Sequence, residues 1–505
     1  MSIKAAFRAV TVALVALTLT ACSGGVVPEP SLPPETIPAE YQVYYSQTLE
    51  WTECHEDMEC ATAVAPLDWA EPAGDTIELA LVKHQASSKN KLGSLFVNPG
   101  GPGASGVNFV ADSLDYAVSG AVQKNYDVIG FDPRGVGAST PVVCVDSDAE
   151  MDEFLFGASE TVRATPEWFA EREAASAAFA QGCRERTGDL LAHVDTVSAA
   201  QDLDMLRATV GDRQLNYLGY SYGTLLGAIY AENFPGNVGR MVLDGALDPS
   251  SSSFDVNLTQ SIGFENALRS YLDECTKGKQ CPFSGNTDEA MTQIGQLLAD
   301  LDKSPLTASD GRVLGADSML TAIIAPLYDK QAWSYLSDVF TAVYEGDADP
   351  AYGSVDWYYN RTESGTYSDN STEAFLAINC LDYPVKTDPA QWAADAKVLA
   401  EKAPVIGSYL AYGDELCSQW AFPAVMTPQK VTARGAGDIL VVGTTGDPAT
   451  PYRWAQNLAA QLEGGHLVTY TGEGHTAYNK SNACVNDAVD GFLLRGKVPA
   501  TDPQC

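Results

Sequence analysis

Positive charge and histidine are scarce in this chain of 505 residues: 30 Lys and Arg stand against 66 Asp and Glu, with five His. A formal charge of −36 repels phosphate, which excludes nucleic acid as a partner. No C-x-x-C pair or neighbouring histidine gives metal-ligand spacing, so no zinc and no other cofactor is expected. No G-K-[ST] follows the glycine-rich loop near residue 100, which removes a phosphate-cradling P-loop. The apolar run from Ala9 to Leu19 is too short to span a bilayer as a stable helix. What these absences leave open is an acidic exported protein, or one whose substrate carries a positive group such as a peptide amino terminus.

The N-terminus favours export. Lys4 and Arg8 precede the apolar run, as in a secretory signal, and the run ends in Leu19-Thr20-Ala21-Cys22. That string resembles a bacterial lipobox, with residues 1–21 removed and Cys22 acylated to anchor the chain in the outer leaflet; an ordinary signal peptide cut nearby is the alternative. Prolines 28, 30, 33, 34 and 38 make residues 22–43 an extended tether. Ten cysteines remain after Cys22. An even number in an exported chain reads as five disulfides, and proximity pairs 54 with 60, 144 with 183, 275 with 281, 380 with 417 and 484 with 505.

The only G-x-S-x-G is Gly219-Tyr220-Ser221-Tyr222-Gly223. Leu215–Leu218 before it reads as a strand, and Thr224–Ala231 after it as a helix. A strand turning sharply into a helix over a serine is a nucleophile elbow, with the helix dipole's positive end beneath the hydroxyl; a plain Gly-Ser turn is the simpler reading. Upstream, strand Gly93–Val97 runs into Asn98-Pro99-Gly100-Gly101-Pro102-Gly103. Such a loop can bring a bare amide to a reacting centre, or be an ordinary tight turn. Strand Tyr126–Asp132 leads to a loop in which Arg134 is expected to brace Asp132. Ala199, Leu203, Leu206 and Val210 share one face of a helix over Thr196–Val210.

Alternating strands and helices imply an α/β fold with a mostly parallel sheet. The strand pattern stops between about Ser251 and Phe375, where helices over Phe264–Cys275, Met291–Leu301 and Ser318–Tyr344 are expected. The organisation read from this is a catalytic domain over 44–250 and 376–505 with a helical cap over 251–375; residues 376–430 are open between the two. Buried strands resume at Asp438–Val442 and Leu467–Tyr470.

A serine needs a base, and the base an acid to set its tautomer. His55, His84, His193 and His466 sit in structural contexts. His475, in a glycine-flanked loop after the last strand, is the candidate base. Asp447 follows a core strand and gives the order Ser, Asp, His that α/β-hydrolases use; Asp244, also at a strand end, is the second candidate acid.

The motifs GYSYG, NPGGPG, FDPRGVGAS, LDGALDP, AINCLDYP, GDPATP and GEGH, in this order, resemble the actinobacterial secreted tripeptidyl-aminopeptidase group of α/β-hydrolases, relatives of the proline iminopeptidases. The likeness runs from about Trp51 to Cys505 and extends to the lipobox and cysteine layout of mycobacterial cell-envelope members. It implies a Ser221, Asp447, His475 triad, an oxyanion hole from the amides of Gly101 and Tyr222, and release of short peptides from free N-termini. One departure is Pro99, where proline iminopeptidases have histidine, so their substrate contacts do not carry over. An aminopeptidase must also hold an ammonium group, for which Glu265, Asp382 and Asp273 are candidates by position. A carboxylesterase or lipase is the alternative, because the same triad cleaves esters, and a non-catalytic binding lipoprotein is a third reading. The sequence carries no signal for oligomeric state.

Overall fold

The computed structural model describes residues 36–157, 159 and 161–505; the signal segment, Cys22 and most of the tether lie outside them. Strands rich in β-branched and aromatic residues build the framework: β1 (Thr52–Glu53), β2 (Met58–Pro66), β3 (Thr76–His84), β4 (Ser94–Asn98), β5 (Asp127–Phe131), β6 (Leu215–Tyr220) and β7 (Val238–Asp244). The short ribbon β8 (Leu306–Thr307) and β9 (Val313–Leu314) comes next, then β10 (Ile439–Gly446) and β11 (Gly465–Glu473). Nine of them form one sheet in the order β1-β2-β3-β5-β4-β6-β7-β10-β11. β1, β2, β3 and β5 pair antiparallel, and every pairing from β5 to β11 is parallel. All five residues of β4 and of β5 are buried, as strands covered on both faces must be.

The helices used below are α1 (Gly106–Ala117), α2 (Thr196–Thr209), α3 (Tyr222–Asn233), α4 (Ser253–Cys275), α5 (Ala316–Leu327), α6 (Ser371–Asp382), α7 (Tyr452–Gln461) and α8 (Ala483–Arg495). One face of the sheet packs Leu203, Leu206, Tyr217 and Leu225 from α2, β6 and α3. The other packs Val110, Val242, Leu440 and Phe492 from α1, β7, β10 and α8. Leu268, Ile294, Met319, Ile323 and Phe340 form a separate core for the helical insertion. Glu40–Cys505 is one compact unit, and no helix among the described residues is long and apolar enough to cross a membrane.

Three expectations change. The helix expected over Ser318–Tyr344 breaks after Leu327 and restarts at Trp333, because Pro326 removes a donor near its end and Asp329 caps the turn that follows. The cap boundary expected at 375/376 falls inside the continuous helix α6, and helices run on to Ser418 before β10. Arg134 does not pair with Asp132. Its guanidinium is fully buried and meets Asp202 of α2 through Nε and Nη2, each at 2.7 Å. Asp132 instead accepts from Ser105 Oγ and from the amides of Val107 and Ala138. The five disulfides pair by proximity, as expected.

Candidate active site

Ser221 stands alone between the end of β6 and the start of α3, with φ +54° and ψ −123°. A non-glycine residue held at positive φ is strained, and here the surroundings over-determine it. Its amide donates to Asp244 O of the next strand at 2.9 Å, and its carbonyl accepts from Thr224 N and Thr224 Oγ1. A Cβ on Gly219 would lie 2.3 Å from Gly223 O, and one on Gly223 would lie 2.8 Å from Asn98 Oδ1, so both positions are closed to larger residues. The G-x-S-x-G is therefore a nucleophile elbow.

The loop after β4 comes against this turn. Asn98 Oδ1 holds the Gly100 amide at 3.0 Å, and a Cβ on Gly100 would sit 2.8 Å from Ser221 Cβ and 3.1 Å from Tyr222 N. Gly100 at φ +102° and Gly101 at φ +104° let the backbone pass this close. Among the described residues, no acceptor takes the amide of Gly101 or of Tyr222. Two unengaged donors beside a serine are what a developing oxyanion requires. The glycine loop and the elbow were both legible in the sequence; the anchoring role of Asn98 was not singled out, although an Asn-Pro-Gly string signals such a turn.

His475 Nδ1 lies 3.0 Å from each oxygen of Asp447, and its ring is over the end of β7, where a Cβ on Gly245 would be 3.2 Å from His475 Cε1. Nδ1 facing the carboxylate assigns the proton there and leaves Nε2 as the basic nitrogen. Asp447 is almost fully buried and accepts from Ala449 N, Thr450 N, Thr450 Oγ1 and Thr476 N, which locks its orientation. Thr450 Oγ1 also lies 3.2 Å from His475 Nδ1, a contact the sequence reading missed; the Asp-Pro-Ala-Thr string is its signal, since Asp side chains bond amides two and three residues on. Ser221 Oγ and His475 are not hydrogen-bonded to each other, a spacing common before substrate binds.

Asp244, the second candidate acid, does other work. It accepts from Ala477 N and Tyr478 N and so holds the histidine loop from behind, with burial raising its pKa. The break after α5 places Tyr328 at the site: its carbonyl accepts from His475 N at 2.8 Å, and its ring stands edge-on to the imidazole with centroids 5.4 Å apart. No local sequence signal announces that contact, because the two residues meet only through the tertiary fold.

The three acids proposed for an ammonium group separate. Asp273 is exposed at the end of α4 and bonded to Thr287, which makes it a surface group and corrects its selection by position. Asp382 is buried and spends both oxygens on Thr196, which corrects that selection too. Glu265 is 3% exposed; Oε2 accepts from Val405 N and Ile406 N, while Oε1 has no partner. Burial raises its pKa, and the two amides pull it down less strongly.

Elbow, paired amides and an Asp-oriented histidine on this sheet define the chain as a serine hydrolase of the α/β-hydrolase fold. Comparison with known proteins is specific. The family described as TAP-like protein matches residues 403–505. Serine protease Hip1 of Mycobacterium tuberculosis is 35% identical over 479 residues, covering 91% of this chain and 91% of its own. Carboxylesterase B of the same organism is 37% identical over 473 residues (90% and 89%), and tripeptidyl aminopeptidase of Streptomyces lividans 33% over 474 (90% and 86%). The chain belongs to this actinobacterial, TAP-like family of α/β-hydrolases.

Proposed function

We propose that the chain is an exported aminopeptidase that releases short peptides, tripeptides in the first place, from free N-termini through a serine acyl-enzyme. Ser221 attacks the scissile carbonyl while His475 takes its proton and Asp447 stabilises the imidazolium. The amides of Gly101 and Tyr222 receive the oxyanion. His475 then protonates the leaving amine as the C–N bond breaks, and a water molecule repeats the steps on the acyl-enzyme, returning a proton to Ser221.

The observation that carries the peptidase reading is the likeness, over about nine-tenths of the chain, to relatives named as a serine protease and a tripeptidyl aminopeptidase; of the three acids proposed for the ammonium, Glu265 is the one with an unpaired buried oxygen. A buried carboxylate oxygen without a partner is costly, and a substrate ammonium would satisfy it by charge and by hydrogen bonding. The glutamate lies on α4 and faces Val405 and Ile406, while Gly263, two residues before it and on the other side of the helix, packs on Pro448 O of the acid loop.

Hydrolysis of a tripeptide anilide with a free amine is expected to exceed that of its N-acetylated form by at least about tenfold in kcat/KM, the value of one charge-assisted bond. Glu265→Gln is expected to narrow that ratio. Equal rates for the two substrates in the unaltered enzyme would remove the aminopeptidase reading and leave an ester-cleaving enzyme, the second reading, which the carboxylesterase B relative supports.

The location proposed is the outer face of the cell membrane, through an acylated Cys22 and the proline-rich tether. Five disulfides support an oxidising compartment. Cys22→Ser is expected to move the protein from the membrane fraction to the medium; unchanged membrane association would refute acylation at that residue.

A further inference from the structure

Helix α6 straddles the cap boundary read from the sequence but belongs to the sheet by packing. Ala374, Ala377, Ile378 and Leu381 join the core around the sheet rather than the insertion's own. Asn370, just before the helix, donates to Gly135 O and Val142 O and accepts from Gly137 N. Glu373 accepts from Cys144 N, and Cys380 is bonded to Cys417. These ties hold α6 still on the catalytic domain.

Its two ends meet the two halves of the oxyanion hole. At the first turn, Gly103 has no room for a Cβ, which would lie 2.6 Å from Ser371 O and 2.8 Å from Phe375 N; the helix rests directly on the loop that carries Gly101. At the last turn, Asp382 accepts from Thr196 N at 2.8 Å and from Thr196 Oγ1. Thr196 Oγ1 is in turn bonded to Tyr222 OH. A hydroxyl has one hydrogen to give, so with Thr196 donating to the carboxylate the chain runs Tyr222 OH to Thr196 Oγ1 to Asp382. The Tyr222 ring is buried, and this is the only partner its hydroxyl has among the described residues.

We propose that Asp382 is a positioning residue which, through Thr196, fixes the Tyr222 ring and thereby the aim of the Tyr222 amide at the oxyanion, while the other end of the same helix fixes the Gly101 loop. The inference rests on the serine-hydrolase reading. A small displacement of a preorganised donor weakens it in the transition state far more than in the ground state, so the effect belongs to kcat.

The polarity of the chain depends on protonation. Burial pushes the Asp382 carboxyl up to about 7, the two bonds from Thr196 oppose this, and the charge of Asp195 at the start of α2 adds to it. Tyr222 on α3 and the neighbouring Tyr383, itself facing Asp248, are the other titratable groups around it. Above about 7 the carboxylate accepts from Thr196 as described; below it the carboxylic acid donates back, and Thr196 no longer has to accept from Tyr222. Activity then falls in part with acidity through Asp382.

The test uses the full chain, a free-amine tripeptide anilide, and the variants Asp382→Asn, Tyr222→Phe, their double, Thr196→Val and Thr196→Ser. Asp382→Asn and Tyr222→Phe are each expected to lower kcat about tenfold with KM little changed, the scale of one hydrogen bond to a charged group. The double variant is expected to be no slower than Tyr222→Phe, because both changes break one chain. Thr196→Ser should restore what Thr196→Val loses, and the roughly tenfold step that protonation of Asp382 adds to the acid limb of the profile should be absent in Asp382→Asn. Losses that multiply in the double variant, or an acid limb unchanged in Asp382→Asn, would overturn the proposal. If Asp382→Asn does not fold, the Thr196 pair combined with Tyr222→Phe supplies the same cycle. Failure of the serine-hydrolase reading is a different result: the unaltered chain would then not be labelled by a fluorophosphonate at Ser221.

Discussion

Ser221→Ala is expected to lower kcat by about 10⁶-fold, leaving only the residual rate that an oxyanion hole and binding support without a nucleophile. The size of the loss follows from the geometry. The serine sits at φ +54° on the elbow, its amide tied to Asp244 O, and alanine there has no hydroxyl with which to attack. Because serine and histidine act as one unit, His475→Ala should cost about as much, and the double variant little more. Single-turnover rates with a tripeptide anilide and fluorophosphonate labelling measure this. A Ser221→Ala protein within about a hundredfold of the unaltered rate would show that another residue supplies the nucleophile, since removing one oxyanion donor alone costs about 10²–10³.

Arg134→Met is expected to destabilise the fold by about 3–5 kcal/mol, the largest stability effect foreseen for a single change in this chain. Arg134 is fully buried, and besides Asp202 its guanidinium donates to Leu67 O, His193 O and Pro66 O. Asp202 is as deeply buried and holds Trp69 Nε1 at 3.0 Å. Removing the cation strands a carboxylate in an apolar interior and leaves three carbonyls without a donor. Replacing both partners is milder, because the desolvation cost of the charges disappears with them. Urea unfolding should therefore give a smaller loss for Arg134→Met with Asp202→Leu than for Arg134→Met alone. A single variant within 1 kcal/mol of the unaltered protein would contradict the account.

Much of the fold was legible because its signals are local. Buried strands at Ser94–Asn98, Asp127–Phe131 and Ile439–Gly446 are short apolar runs between turn residues, and helix Thr196–Thr209 shows its apolar face by spacing. The elbow glycines and the nearest-neighbour disulfides are likewise properties of short stretches. What escaped was the pairing of polar groups across elements. Arg134 stands two residues from Asp132, yet the strand end turns Asp132 toward Ser105 and Val107, and Arg134 reaches a helix far along the chain. The acids proposed for an ammonium group failed in the same way. Position in a cap says nothing about which carboxylates are satisfied: Asp382 is spent on Thr196, Asp273 faces solvent, and of these three only Glu265 keeps a buried free oxygen, as Glu415 does elsewhere.

The sequence by itself determined the reaction class: one G-x-S-x-G between a strand and a helix, a glycine-rich loop before it, and an acid and a histidine after later strands, in that order. Such chemistry is written in turns, and turn geometry depends on a few adjacent residues. Tertiary structure alone decided how the parts are aimed. Asp447 rather than Asp244 faces the imidazole, Tyr328 closes on it through a helix break, and α6 packs on Gly103 at one end and bonds Thr196 at the other. Those contacts unite residues far apart in the chain, and their burial and hydrogen-bond satisfaction exist only once the sheet has set its strands side by side.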